Sequence, residues 1–126
     1  MDLKGFIKKG TEELRDLSKE KMIEWLEEYK KAIAVLETFG FTVGKFTVGT
    51  TLLPEIHTSI SGSIEDIREN ELKTMIEDHQ EDTLLVYLLK ALILTKQFWK
   101  LVELKLMGVT IDLTLGVPPK INVEVH

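Results

Sequence analysis

Cysteine is absent from all 126 residues. That excludes disulfides, thiolate nucleophiles and zinc–thiolate centres, and it fits the expectation of a reducing cytoplasm. Basic charge is also short: 16 Lys and Arg stand against 21 Asp and Glu, a net charge of −5. Nucleic acid is therefore not expected as a partner, because binding phosphate requires a basic patch that releases counterions. The most apolar run, "TLLVYLLKALILT" (Thr83 to Thr95), is thirteen residues long with Lys90 inside it. A bilayer span needs about 20 residues, so this reads as a buried helix and no membrane span is expected. Met1 to Gly10 has lysines but no apolar core, so no signal peptide is read there. Motifs for nucleophilic or nucleotide chemistry are missing too. "SISGSI" (Ser59 to Ile64) is a serine-bearing loop rather than a nucleophile elbow. "GKFT" (Gly44 to Thr47) lacks the glycine-rich run of a phosphate loop and continues into a strand.

What is present is a single soluble domain of 44% hydrophobic and 29% charged residues, long enough to bury one core. Leu3, Phe6 and Ile7 mark a short helix closed by Lys8, Lys9 and Gly10. Thr11 to Phe39 is a long helical pattern in which Met22, Leu26, Tyr29, Ile33 and Leu36 step by four and three. Leu14 and Leu17 fall outside that register, which predicts a break near Ser18, and Gly40 ends the helix. Alternation follows: Phe41 and Val43, a parity slip at Gly44 that predicts a β-bulge, then Phe46 and Val48, and a second strand through Ile56, Thr58 and Ile60. Ser63, with Asp66 three residues on, forms a capping box that opens another helix. That helix stops or bends near Asp78 to Asp82, and Asp82 or Thr83 caps a third, predicted over Leu84 to Met107 and ended by Gly108. A second hairpin alternates through Val109 to Val117 and Ile121 to Val125, and His126, the last residue, is expected to fray.

The two hairpins share a phrase. "VGTTLLPEIHTSIS" (Val48 to Ser61) and "LGVPPKINVEVH" (Leu115 to His126) both run apolar residue, Gly, loop, Pro, charge, Ile, strand. Setting Gly40 on Gly108 also aligns Leu36 with Leu104 and Phe39 with Met107. The predicted fold is α+β and internally duplicated. Short helix, long helix and β-hairpin occur twice, in one domain of two pseudo-repeats (about 1–62 and 63–126). The halves are expected to pack about a pseudo-twofold axis, making an antiparallel sheet with helices on one face. The other face then carries Thr42, Thr47, His57, Ser59, Ser61, Thr110, Thr114, Asn122 and Glu124.

Chemistry has few places to reside. Glu55 and His57, two apart on a strand, point to one face; with His79 and Asp82 they are the candidate ligand or metal residues, although no paired-histidine spacing supports them. Lys45 and Asp112 are expected to pair across the two hairpins. The eight acids between Glu65 and Asp82, against Arg68 and Lys73, form a solvated or partner-facing segment. Since Leu84 to Leu94 is apolar around the whole helix, one chain is not expected to cover it. The favoured function is therefore a non-catalytic binding or assembly module, a homodimer joined through Leu85, Leu88, Leu92 and Trp99, with a further protein partner allowed. The alternative is a small-ligand protein or metal-dependent enzyme with its site on the polar sheet face or between the repeats. No cofactor is named by the residues.

Overall fold

One helix, α1 (Leu3–Thr38), occupies the first third of the chain in a computed structural model. The structure describes residues 3–50, 54–116 and 119–126, with side-chain positions for 20–49, 55–116 and 119–126. The two hairpin loops, at 51–53 and 117–118, and the apolar face predicted on Leu3, Phe6 and Ile7 lie outside what is described. The helix runs unbroken through Gly10 and Ser18, so neither predicted interruption occurs. An interior glycine costs only about 1 kcal/mol relative to alanine, too little to stop a helix already propagating on both sides.

Gly40 does end α1. Its φ is +97°, Phe41 N–H donates to the Leu36 carbonyl at 3.1 Å, and Gly40 N–H donates to that of Glu37 at 3.1 Å. These paired bonds satisfy carbonyls that the helix leaves open, and they need a left-handed residue at this position. Phe41 is driven into the core, and the chain enters β1 (Thr42–Thr50) and β2 (Pro54–Ser63), an antiparallel pair. Their register slips between Val43 and Lys45, which places the predicted bulge at Gly44.

Ser63 and Asp66 form the expected capping box: Glu65 N–H donates to Ser63 Oγ, and Ser63 N–H donates to an Asp66 carboxylate oxygen at 3.0 Å. The box caps only a 3-10 turn, Ile64–Asp66; the helix α2 (Glu69–Asp78) begins after Arg68. Next comes α3 (Thr83–Val102), with Asp82 at its N-cap. The predicted continuation to Met107 is wrong. Glu103 takes a left-handed conformation, φ 56°, and Leu104 N–H reaches back to the Trp99 carbonyl at 3.3 Å. Gly40 thus corresponds in role to Glu103, and Gly108 already belongs to β3 (Gly108–Leu115). Residues 104–107 return to the sheet instead. Trp99 Nε1 holds them by donating to the Leu106 carbonyl at 2.6 Å, and Ile64 N–H donates to the Met107 carbonyl at 2.8 Å.

The last strand is β4 (Lys120–Val125). His126 is not frayed: it exchanges both backbone hydrogen bonds with Gly108, and its Nε2 lies 2.9 Å from Thr110 Oγ1. The four strands pair in the order β1-β2-β3-β4, all antiparallel. In a meander of this order β1 maps onto β3 and β2 onto β4 by a slide of two strands. A twofold axis normal to the sheet would instead exchange β1 with β4. The twofold packing expected of the halves is therefore not the one adopted.

Among the described residues the fold is α+β, with three α-helices and one four-stranded sheet; α1 and α3 pack on the sheet and α2 packs on α3. Strand alternation decides which side is covered. Val109, Ile111, Leu113 and Leu115 of β3 are all buried, as are Ile56, Thr58 and Ile60 of β2. They meet Met22, Tyr29, Ala32 and Leu36 of α1 and a block of α3 from Leu84 to Ile93. Among the described residues no helix lies on the opposite side of the sheet.

Candidate functional site

Pairing across the open side of the sheet produces ordered rows. Thr42, Ser61, Thr110 and Glu124 form one; Lys45, Ser59, Asp112 and Asn122 the next; Thr47, His57, Thr114 and Lys120 the third. Every residue predicted for the polar face lies in one of these rows. Between Lys45, Thr47, His57, Ser59, Asp112 and Thr114 is a shallow hollow of about 410 Å³. At the bulge beside it, a Cβ on Gly44 would sit 3.3 Å from Ser59 Oγ.

His57 is the most constrained polar side chain there. Its Nε2 lies 3.4 Å from Glu55 Oε2, and its Nδ1 lies 3.2 Å from Thr114 Oγ1. One ring edge thus faces a carboxylate and the other a hydroxyl, an arrangement that orients the imidazole. Lys45 and Asp112 do not pair directly; Ser59 stands between them in the row, and no ion pair joins them among the described residues.

His79 and Asp82 are elsewhere, at the turn between α2 and α3. His79 Nδ1 lies 3.0 Å from the Met75 carbonyl at the end of α2, and Asp82 meets Lys31 of α1 at 3.7 Å. The four predicted ligand residues therefore form two separate pairs, one on the open sheet face and one among the helices. Among the described residues no group of three His, Cys, Asp or Glu side chains is placed to hold a metal ion.

The second notable surface is apolar. Leu85, Leu88 and Leu92, expected at an interface between copies, are fully buried in the chain's own core. They face α1 and the sheet, so the chain itself covers that side of α3. Trp99 is half-buried and is engaged by Leu106. What the chain leaves bare is the reverse side of the same helix. Tyr87, Leu94, Phe98 and Leu101 are 51–82% exposed. With half-buried Ala91 they step by four, three, four and three residues, the spacing of a helix–helix seam. No helix among the described residues is long and apolar enough to cross a membrane.

A third feature had no signal in the sequence. Val43, Phe46 and Val48 of β1 point to the same side as their cross-strand partners Ile60, Thr58 and Ile56. The partners are at most 5% exposed, whereas the β1 residues are 41–58% exposed. The helix layer leaves this edge strand half exposed, although Tyr29 of α1 reaches Phe46, with ring centroids 6.0 Å apart. Tyr29 also bonds inward: its hydroxyl lies 2.7 Å from Thr58 Oγ1. Burial holds the Tyr29 pKa above its ordinary value; the Thr58 hydrogen bond works against that shift and the charge of Glu37 adds to it.

Comparison of the chain with protein-family models, with curated proteins and with solved structures finds no match.

Proposed function

We propose that this protein is a non-catalytic assembly module that associates with further copies of itself through the outer face of α3. The observation that carries this reading is the bare seam of Tyr87, Leu94, Phe98 and Leu101. These four side chains present roughly 500 Å² of apolar surface per chain, which approaches the share of a modest specific interface. Lone exposed apolar residues are ordinary, but four in heptad spacing on one helix form a contiguous patch. Light scattering after size exclusion should show a species heavier than 14.4 kDa at micromolar concentration. Leu94→Glu, placed where the side chain is half exposed, should return the protein to monomer with its fold intact. A wild-type monomer at hundreds of micromolar would refute the proposal.

A second reading takes the hollow on the open sheet face as a small-ligand site, with His57, held by Glu55 and Thr114, as its central group. A ligand that raises the melting temperature of the wild type but not of His57→Ala would support it. Equal shifts in both proteins would count against it. We also read the two helix–hairpin halves as copies of one unit, supported by the shared C-terminal bonding of α1 and α3 and the hairpin that follows each. Aligned homologues should show the halves converging; halves that drift apart among the most divergent homologues would count against duplication.

A further inference from the structure

The outer seam of α3 is a ridge, and the inner side of β1 is a step where the helix layer is missing. We infer that the two fit each other between copies: the α3 seam of one copy docks over Val43, Phe46 and Val48 of the next, beside its α1. This rests on the reading that α3 is the self-association surface, and it adds what that surface docks against.

Length, shape and charge support the match. Tyr87 to Leu101 spans about 21 Å of helix, and Val43 to Val48 about 17 Å of strand. Over β2 and β3 the sheet already receives helices on this side; a helix over β1 would extend the same layer by one position. Docking also covers both bare strips, whereas pairing α3 with a second α3 leaves β1 exposed. In charge, α3 carries no acid; Lys96 donates to the Ile67 carbonyl and Lys100 pairs with Glu69, which leaves Lys90 exposed on the flank of the seam. The part of α1 beside β1 is acidic on balance: from residue 20 to 38, Glu20, Glu24, Glu27, Glu28 and Glu37 outnumber Lys21, Lys30 and Lys31. Two α3 helices packed together would instead offer each Lys90 no acid on the partner helix. Because the two surfaces differ, the contact is head-to-tail, and it propagates unless a ring closes.

Two substitutions at half-exposed positions test this, Phe98→Asp on the seam and Phe46→Asp on the step. Each variant alone should be monomeric by light scattering, with unchanged far-ultraviolet circular dichroism. Mixed in equal amounts, they should form a species of twice the monomer mass and stop there, because each supplies the face the other lacks. If Phe98→Asp is monomeric but Phe46→Asp associates like the wild type, or if the mixture stays monomeric while the wild type associates, the β1 step is not the partner and this inference falls while self-association through α3 stands. A wild-type monomer overturns both. Should Phe46→Asp unfold, Val48→Lys, further along the same strip, replaces it with the same expected outcomes.

Discussion

Thr58 is the one buried polar side chain among the described residues, at 3% exposure, and its hydroxyl is satisfied by Tyr29 at 2.7 Å. Tyr29→Phe removes one partner and leaves the Thr58 hydroxyl in an apolar core, which should cost about 1–2 kcal/mol. Thr58→Val is close in shape and leaves the Tyr29 hydroxyl short of its partner, for a similar loss of about 1–2 kcal/mol. Together the changes replace the pair by hydrocarbon of the same outline, so the double variant should lie within about 1 kcal/mol of wild type. The cycle should therefore show a coupling on the order of 2–3 kcal/mol, read from urea midpoints at constant slope. Each single variant should melt lower, by about 3–12 °C for a chain of this size. High pH adds an independent readout. Because burial raises the Tyr29 pKa, the folded state keeps this proton more tightly than the unfolded state does. The stability linked to it is present below about pH 10 and is lost as pH rises further, and Tyr29→Phe should flatten that part of the profile. Additive single losses, with an unchanged slope above pH 10, would show that the two hydroxyls are not coupled as described.

Two further substitutions probe backbone constraints. Glu103 occupies the left-handed position that closes α3, so Glu103→Gly should stabilise the protein by about 0.5–1 kcal/mol in the same urea assay. Gly62→Ala should do the reverse. Its Cβ would lie 2.5 Å from Cδ1 of Phe41, whose ring is itself buried, so a loss of about 1–3 kcal/mol is expected, with Phe41→Leu recovering part of it.

The fold was legible where a local rule and the tertiary structure agree. Gly40 ends a helix because a left-handed residue is needed there, and Gly44 breaks strand parity because a bulge takes one extra residue. It was not legible at the end of α3. Leu104, Leu106 and Met107 continue an apolar pattern up to a glycine, so helix is the local expectation. The actual stop is imposed from outside the segment, by Trp99 binding the Leu106 carbonyl and Ile64 binding that of Met107. The same limit applies to α1, where a glycine and a change of apolar register look like a break although the backbone ladder continues.

The polar sheet face was legible for a different reason: alternation alone assigns every strand residue to one of two sides, whatever the strand order. Coverage of the apolar side is not a property of alternation. Val43, Phe46 and Val48 are written like the inward residues of a central strand, and only the order β1-β2-β3-β4 reveals that they sit at an edge beyond the helices. For α3 the all-round apolar sequence correctly signals more surface than one face needs, but not which side is surplus. Leu85, Leu88 and Leu92 are taken up by the chain's own core, which leaves Tyr87, Leu94, Phe98 and Leu101. A buried leucine already has its partners, so the proposed association through α3 would use the residues on the reverse of the helix. Substitution of Leu88 is therefore expected to report on folding, and substitution of Leu94 on the proposed assembly.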